Sequence, residues 1–136
     1  YCSDITRCVH VGEPSAEVRD AYDVLQAAQA AAVRAAAVGT PCEEVDAAAR
    51  RVIAEGGYGD AFIHRTGHGI GVEAHEDPYL VAGNDEPLES GNAFSVEPGI
   101  YLGGRFGMRL EDIVVADGAA PDVLNTAGRE LAVVDA

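Results

Sequence analysis

Between residues 14 and 37 the apolar positions recur at helical spacing. Val18, Tyr22, Leu25, Ala28 and Ala32 fall on one face, with Ser15 placed to cap the start and Glu17 in the first turn. The alanine-rich second half of this helix carries little side-chain area, so it is expected to pack closely against a neighbour. Gly39 ends it. Thr40-Pro41-Cys42-Glu43 has the form of a capping box with proline at the first helical position. A second helix should follow to about residue 55, with Val45, Ala48, Val52 and Ile53 inward and Gly56-Gly57 as its stop.

On either side the pattern is that of strands. Residues 1–12 are enriched in β-formers, among them Ile5, Thr6, Val9 and Val11, and end at Gly12-Glu13-Pro14. From Tyr58 onward, short apolar runs at residues 61–64, 70–74, 93–101, 108–116 and 123–125 are separated by Gly, Pro and Asn. Residues 103–107 read as a hairpin connection, and the acidic stretch 77–91, with Pro78 and Pro87, reads as a surface loop. Helices followed by strands indicate an α+β domain, its helices on one face of a curved antiparallel sheet.

Charge narrows the function. A net charge of −14, with only nine scattered basic residues, argues against a nucleic-acid partner, which needs clustered cations. No apolar run reaches the roughly 18 residues of a membrane span, and no signal peptide is visible. Three cysteines cannot all pair. In one strand Cys2 and Cys8 would lie about 20 Å apart, beyond the ~7 Å reach of a disulfide. The expected setting is therefore the reducing cytoplasm. The chain opens at Tyr1, inside a patterned segment, and so reads as a piece of something longer.

Candidate chemistry concentrates in His64-Arg65-Thr66-Gly67-His68-Gly69-Ile70-Gly71-Val72-Glu73-Ala74-His75-Glu76-Asp77. Three of the four histidines lie here within twelve positions, interleaved with Gly67, Gly69 and Gly71. A single histidine is usually a surface or satisfied core residue. Three on a glycine frame, where the backbone can approach closely, point to a binding or catalytic site. Asp4, Glu97 and Glu111 each stand inside an apolar strand pattern, where an uncompensated charge is costly. Such acids are normally paired or metal-bound, although Asp4 reads equally well as facing water. Ser3, Thr6 and Arg7 stand close enough to orient Asp4. Imidazole with several carboxylates suits Mn²⁺, Co²⁺ or Fe²⁺ better than a structural zinc site, which favours thiolates.

Five segments together resemble the pita-bread metallopeptidases: Ser3-Asp4-Ile5-Thr6-Arg7, His64 to Gly71, His75-Glu76-Asp77-Pro78, Phe94-Ser95-Val96-Glu97-Pro98-Gly99-Ile100-Tyr101, and Arg109-Leu110-Glu111-Asp112. The match is best to the Xaa-Pro dipeptidases (prolidases) and Xaa-Pro aminopeptidases. Methionine aminopeptidases share the Gly-His-Gly-Ile-Gly core but not usually the first and last motifs, so they stand second. A non-catalytic pita-bread binding module would tend to lose the ligand residues that this chain keeps.

The resemblance implies that Asp4, His68, Glu97 and Glu111 are metal ligands for two divalent ions, Mn²⁺ or Co²⁺ first and Zn²⁺ third. It implies Glu97 as general base, His64 and His75 as catalytic groups flanking the substrate, and Tyr101 and Arg109 as groups that orient ligands and substrate. The substrate would be a proline-containing dipeptide or peptide. A strand missing before Tyr1 would leave a sheet edge exposed, so a homodimer formed by strand exchange is expected. The chain would be the C-terminal portion of a catalytic domain. One further ligand Asp of the family pattern would fall before Tyr1, so that one ion keeps four ligands here and hydrolysis by this stretch alone is not expected.

Overall fold

In the computed structural model, which describes residues 1–135, two helices pack on one another and against strands that carry the remaining apolar residues. Helix α1 spans Ala16–Ala35 and α2 spans Cys42–Glu55. Ser15 caps α1 as the pattern predicts, its hydroxyl accepting from the Val18 amide at 3.3 Å. The expected capping box on α2 does not form: Pro41 occupies the cap position and no side chain bonds there. Main-chain carbonyls of a neighbouring loop serve instead, Glu86 accepting from the Cys42 amide at 2.9 Å and Asn84 from the Glu43 amide at 2.8 Å. Those two bonds satisfy donors that a helix start leaves free, so a capping side chain is not needed.

Tyr22, Leu25, Ala28 and Ala32 of α1 are buried with Val45, Ala49 and Ile53 of α2. The close approach expected of the small residues is real at the end of α2, where a Cβ on Gly56 would sit 2.6 Å from a Val24 methyl. Beneath the helices lie Leu80, Leu88, Phe94, Val96, Ile100, Leu110 and Val114. Each fully buried side chain of this size contributes roughly 1.5–3 kcal/mol.

The strands are β1 (Val9–Val11), β2 (Gly67–Gly69), β3 (Glu76–Leu80), β4 (Ala93–Val96), β5 (Gly99–Leu102), β6 (Phe106–Arg109), β7 (Asp112–Val115), β8 (Asp122–Val123) and β9 (Ala132–Val134). Five form one antiparallel sheet in the order β3-β2-β4-β7-β8. The predicted hairpin joins β5 to β6, with Leu102 opposite Phe106. Strands β1 and β9 pair in parallel as a separate ribbon.

Several strand boundaries differ from those predicted. Residues 1–12 keep only β1 and one antiparallel bridge between Thr6 and Glu111. The loop read at 77–91 opens with β3, whose Asp-Pro content conceals a strand pairing with β2 across a bulge at His68 and Gly69. Where residues 61–64 suggested a strand, a 3-10 turn (Gly59–Ala61) leads into backbone whose carbonyls at Phe62 and His64 accept from Arg50. The run at 70–74 is not extended either; the strand lies just before it, at β2.

The two long strands at 93–101 and 108–116 each break in the middle. Pro98 cannot donate to a ladder, and β4 gives way to β5 at Glu97-Pro98. The facing strand breaks at Leu110-Glu111, where the Leu110 amide reaches the Pro98 carbonyl at 3.3 Å. Glu97 and Glu111 therefore occupy strand breaks rather than strand interiors, and Asp4 lies in irregular backbone.

Candidate metal centre

Strand β2 lies in the sheet between β3 and β4 only because its outer residues are glycine. A Cβ on Gly67 would stand 1.9 Å from the Ser95 carbonyl oxygen, and one on Gly69 2.2 Å from that of Asp77. His68 projects between them and is 2% exposed. Its amide donates to Ser95 Oγ at 3.0 Å and its Nδ1 lies 3.0 Å from the Gly69 carbonyl oxygen. A carbonyl only accepts, so Nδ1 carries the proton and Nε2 keeps its lone pair. Nε2 faces Glu97 Oε1 at 3.1 Å, an approach of two acceptors that calls for a proton or a cation between them.

Asp4, His68 and Glu111 come together, one ligand atom from each lying within 4.8 Å of the others. Glu97 joins this group through His68. Ser95 Oγ donates to Glu97 Oε1 at 2.9 Å, and Arg109 approaches Glu97 Oε2 at 3.5 Å and Glu111 Oε2 at 3.8 Å. Thr6 Oγ1 donates to Glu111 Oε2 at 2.5 Å and accepts from Arg109 Nε at 3.1 Å. Thr6 on the Glu111 carboxylate and Arg7 on its carbonyl thus orient Glu111 rather than Asp4, while Asp4 Oδ1 accepts from the adjacent Ile5 amide at 3.0 Å.

Burial pushes the Glu111 carboxyl above the usual range; the Thr6 bond and Arg109 oppose this, while Glu97 and Asp4 add to it. The result is a buried imidazole lone pair among three carboxylates with one half-exposed guanidinium to balance them. That donor set fits a divalent cation with a preference for oxygen ligands.

His64 stands on the far side of an open pocket of about 590 Å³ lined by His64, Arg65, His75, Tyr79, Val81, Glu97 and Arg109. His64 Nδ1 faces the Arg65 carbonyl at 2.7 Å and Nε2 lies 3.0 Å from the Tyr101 hydroxyl. By the same reasoning Nδ1 donates, and Tyr101 donates to Nε2. Burial, ahead of the surrounding charges, raises the Tyr101 pKa, which keeps that donor protonated. The exposed His75 ring lies 4.1 Å from the His68 ring, centroid to centroid. Of the eight residues singled out in the sequence, His64, His75, Glu97 and Arg109 line this pocket, while Tyr101 contacts His64, and His68, Glu111 and Asp4 adjoin it through Glu97 and His68.

Other groups escaped the sequence reading. Asp46 is 1% exposed on the inward face of α2 and accepts from Thr66 N at 2.9 Å, Thr66 Oγ1 at 2.7 Å and Arg50 Nε at 2.6 Å. Arg50, stacked 4.3 Å above the Phe62 ring, in turn donates to the His64 carbonyl at 2.5 Å. An acid on an apolar helix stripe, four residues before an arginine, was the available signal. Ser95, between buried Phe94 and Val96, offered none.

A sequence profile of metallopeptidase family M24 matches residues 1–117. A probable dipeptidase, PepE, of Mycobacterium tuberculosis H37Rv is 54% identical over 136 residues, covering 98% of this chain and 36% of the relative. The Xaa-Pro dipeptidase of Lactobacillus helveticus is 51% identical over 120 residues, covering 87% of this chain and 33% of its own length. Among solved structures, a prolidase from Thermococcus sibiricus superposes with a TM-score of 0.95 at 50% identity, and an X-Pro aminopeptidase from Thermotoga maritima with 0.96 at 46%. Each superposition covers 98% of this chain, but only 36% and 38% of those structures. The chain spans little more than a third of the relatives it matches.

Proposed function

The chain belongs to metallopeptidase family M24, and from that premise we propose that the protein containing it hydrolyses the peptide bond preceding proline, as a Xaa-Pro dipeptidase or Xaa-Pro aminopeptidase. Its fold is the corresponding part of the α+β pita-bread architecture. Residues 1–136 form the C-terminal portion of the catalytic domain in this reading, in keeping with the share of each relative that they cover. The observation that carries the proposal is the convergence of Asp4, His68 and Glu111, with Glu97 held against His68 Nε2.

Asp4, His68, Glu97 and Glu111 would hold divalent metal, two ions in the complete protein, with Mn²⁺ or Co²⁺ preferred by the oxygen-rich set. Bound there, the metal supplies Lewis acidity and a water acidic enough to act as a nucleophile near neutral pH. Glu97, fixed by Ser95 and Arg109, would act as general base, taking up a proton at its carboxylate. His64 and His75 line the pocket where the scissile carbonyl would lie, His75 placed to donate to the developing negative charge and the leaving nitrogen, and His64 to flank the substrate with its ring oriented by Arg65 and Tyr101. Tyr101 holds the tautomer of His64. Arg109 balances the acids and orients them.

A cytoplasmic location is proposed, in keeping with the free cysteines Cys2, Cys8 and Cys42. A homodimer is proposed on the ribbon of β1 and β9, whose Val9, Val11, Val133 and Val134 are exposed; light scattering on the full-length protein would return twice the monomer mass. The activity test uses full-length protein, stripped by chelation and reloaded with Mn²⁺, on the dipeptide Ala-Pro and on a longer peptide beginning Ala-Pro. Metal-dependent release of alanine from either supports the reading, and the preferred substrate separates dipeptidase from aminopeptidase. A folded, metal-loaded protein that cleaves neither refutes it. The 136-residue chain alone is expected to turn over neither.

A further inference from the structure

The segments bearing Asp4 and Glu111 are joined by a single bridge, Thr6 to Glu111, rather than by a ladder. Their separation must therefore be fixed by something else. Asp112, next to Glu111, has a fully buried side chain. Its Oδ1 accepts from an Arg7 terminal nitrogen at 2.7 Å, and its Oδ2 accepts from Arg129 Nε at 2.6 Å and Gln29 Nε2 at 2.9 Å. The other Arg7 donors spread over three segments. They reach the Glu111 carbonyl at 2.6 Å and the Thr6 carbonyl at 2.9 Å, then Gly128 at 2.8 Å and Ala127 at 3.0 Å. Asn125 completes the tie: its Oδ1 accepts from the Ile113 amide at 2.6 Å while its Nδ2 donates to the Asp4 carbonyl at 3.1 Å.

We propose that the C-terminal segment, through Asn125 and through Arg129 on Asp112, sets the spacing of Asp4 and Glu111 and thereby the affinity of the site for a divalent cation. This rests on the metal reading above. A buried ion cluster ordinarily holds a fold together and nothing more. Here the anchors converge on the two segments that present the carboxylates, Asp4 to Thr6 and Glu111 to Ile113, Asn125 on their main chain and Arg129 on the Asp112 side chain. Asn125 and Arg129 are thus positioning residues that touch neither metal nor substrate. Groups that orient metal ligands typically govern affinity by about 10- to 100-fold.

The test titrates the metal-free full-length protein with Mn²⁺ by calorimetry, alongside Asn125→Ala, Arg129→Met and Arg129→Lys, with thermal unfolding of each measured without metal. Asn125→Ala and Arg129→Met should each weaken Mn²⁺ binding by about tenfold or more in protein that is still folded, and Arg129→Lys should recover most of the loss. A purely structural role would lower the melting temperature and leave the affinity of folded protein unchanged. Asn125→Ala leaves the Asp112 cluster intact, so it carries the test if Arg129→Met does not fold. Folded variants that bind Mn²⁺ as the unaltered protein does would overturn the inference. Unaltered full-length protein that binds no Mn²⁺ would instead refute the metal reading on which it rests.

Discussion

Replacing Asp46 by alanine should destabilise the chain by about 2–4 kcal/mol, although Asp46 lies outside the proposed ligand set. Its carboxylate is 1% exposed and serves the amide and hydroxyl of Thr66, a residue with no exposed surface, as well as Arg50. The Thr66 amide keeps the Leu80 carbonyl at 3.1 Å, so one buried donor, the Thr66 hydroxyl, is left without an acceptor, at about 1–3 kcal/mol. The Arg50 side chain is 36% exposed and can recover hydration, so the ion pair itself adds at most about 1 kcal/mol. Asp46→Asn retains an oxygen for Thr66 but turns an NH2 donor toward Arg50 Nε, losing that bond and the charge, and should cost about 1–2 kcal/mol. Urea unfolding followed by circular dichroism reads both values, provided the denaturant slope is unchanged. Because Arg50 also holds the His64 carbonyl, the alanine variant should broaden the His64 imidazole signals in NMR spectra. A loss below about 1 kcal/mol for Asp46→Ala would refute the claim that Thr66 depends on this acceptor.

Gly67→Ala should abolish cooperative folding, because its methyl would meet the Ser95 carbonyl at 1.9 Å, whereas Gly103→Ala, with open space around it, should unfold like the unaltered chain. Burial, with a smaller contribution from Cys8, pushes the Tyr22 hydroxyl up to about 12. A group raised on folding contributes stability that is complete below its unfolded pKa of about 10 and lost as pH climbs through the folded value. Tyr22→Phe should remove the last component of the phenolate absorbance titration and, by deleting the bond to the Arg129 carbonyl, cost about 1 kcal/mol below pH 9. For Glu111 the same sign holds. Its raised pKa means the carboxylate destabilises the metal-free fold above the unfolded value, about 4.3, so metal-free Glu111→Gln should melt higher than the unaltered chain at neutral pH and alike near pH 4.

The helices were legible because their signals are local. Ser15, the Leu25 stripe and Gly56 act within a turn or two of themselves, and the structure differs mainly in how α2 begins. The histidine and carboxylate positions were legible through spaced motifs, and the glycines around His68 for the reason the structure gives, close backbone approach. Strand ends were not. Glu97 and Glu111 read as acids within strands because nothing local marks two facing strands that break side by side. Ties across the length of the chain were invisible too. Asn125 bonds a residue 121 positions away, and β9, in a tail with no sequence signal, finds its partner β1 from the opposite end. Asp112 reads as one more acid in a motif until Arg7 and Arg129 are seen to meet on it.

The central claim, that Asp4, His68, Glu97 and Glu111 form a cation site, is tested most directly by calorimetric titration of the metal-stripped chain with Mn²⁺, repeated on Glu111→Gln. The account predicts saturable binding of a single ion per chain, lost in the variant while its fold is retained. A folded chain that takes up no Mn²⁺, or a Glu111→Gln variant that binds it as tightly, would contradict the account.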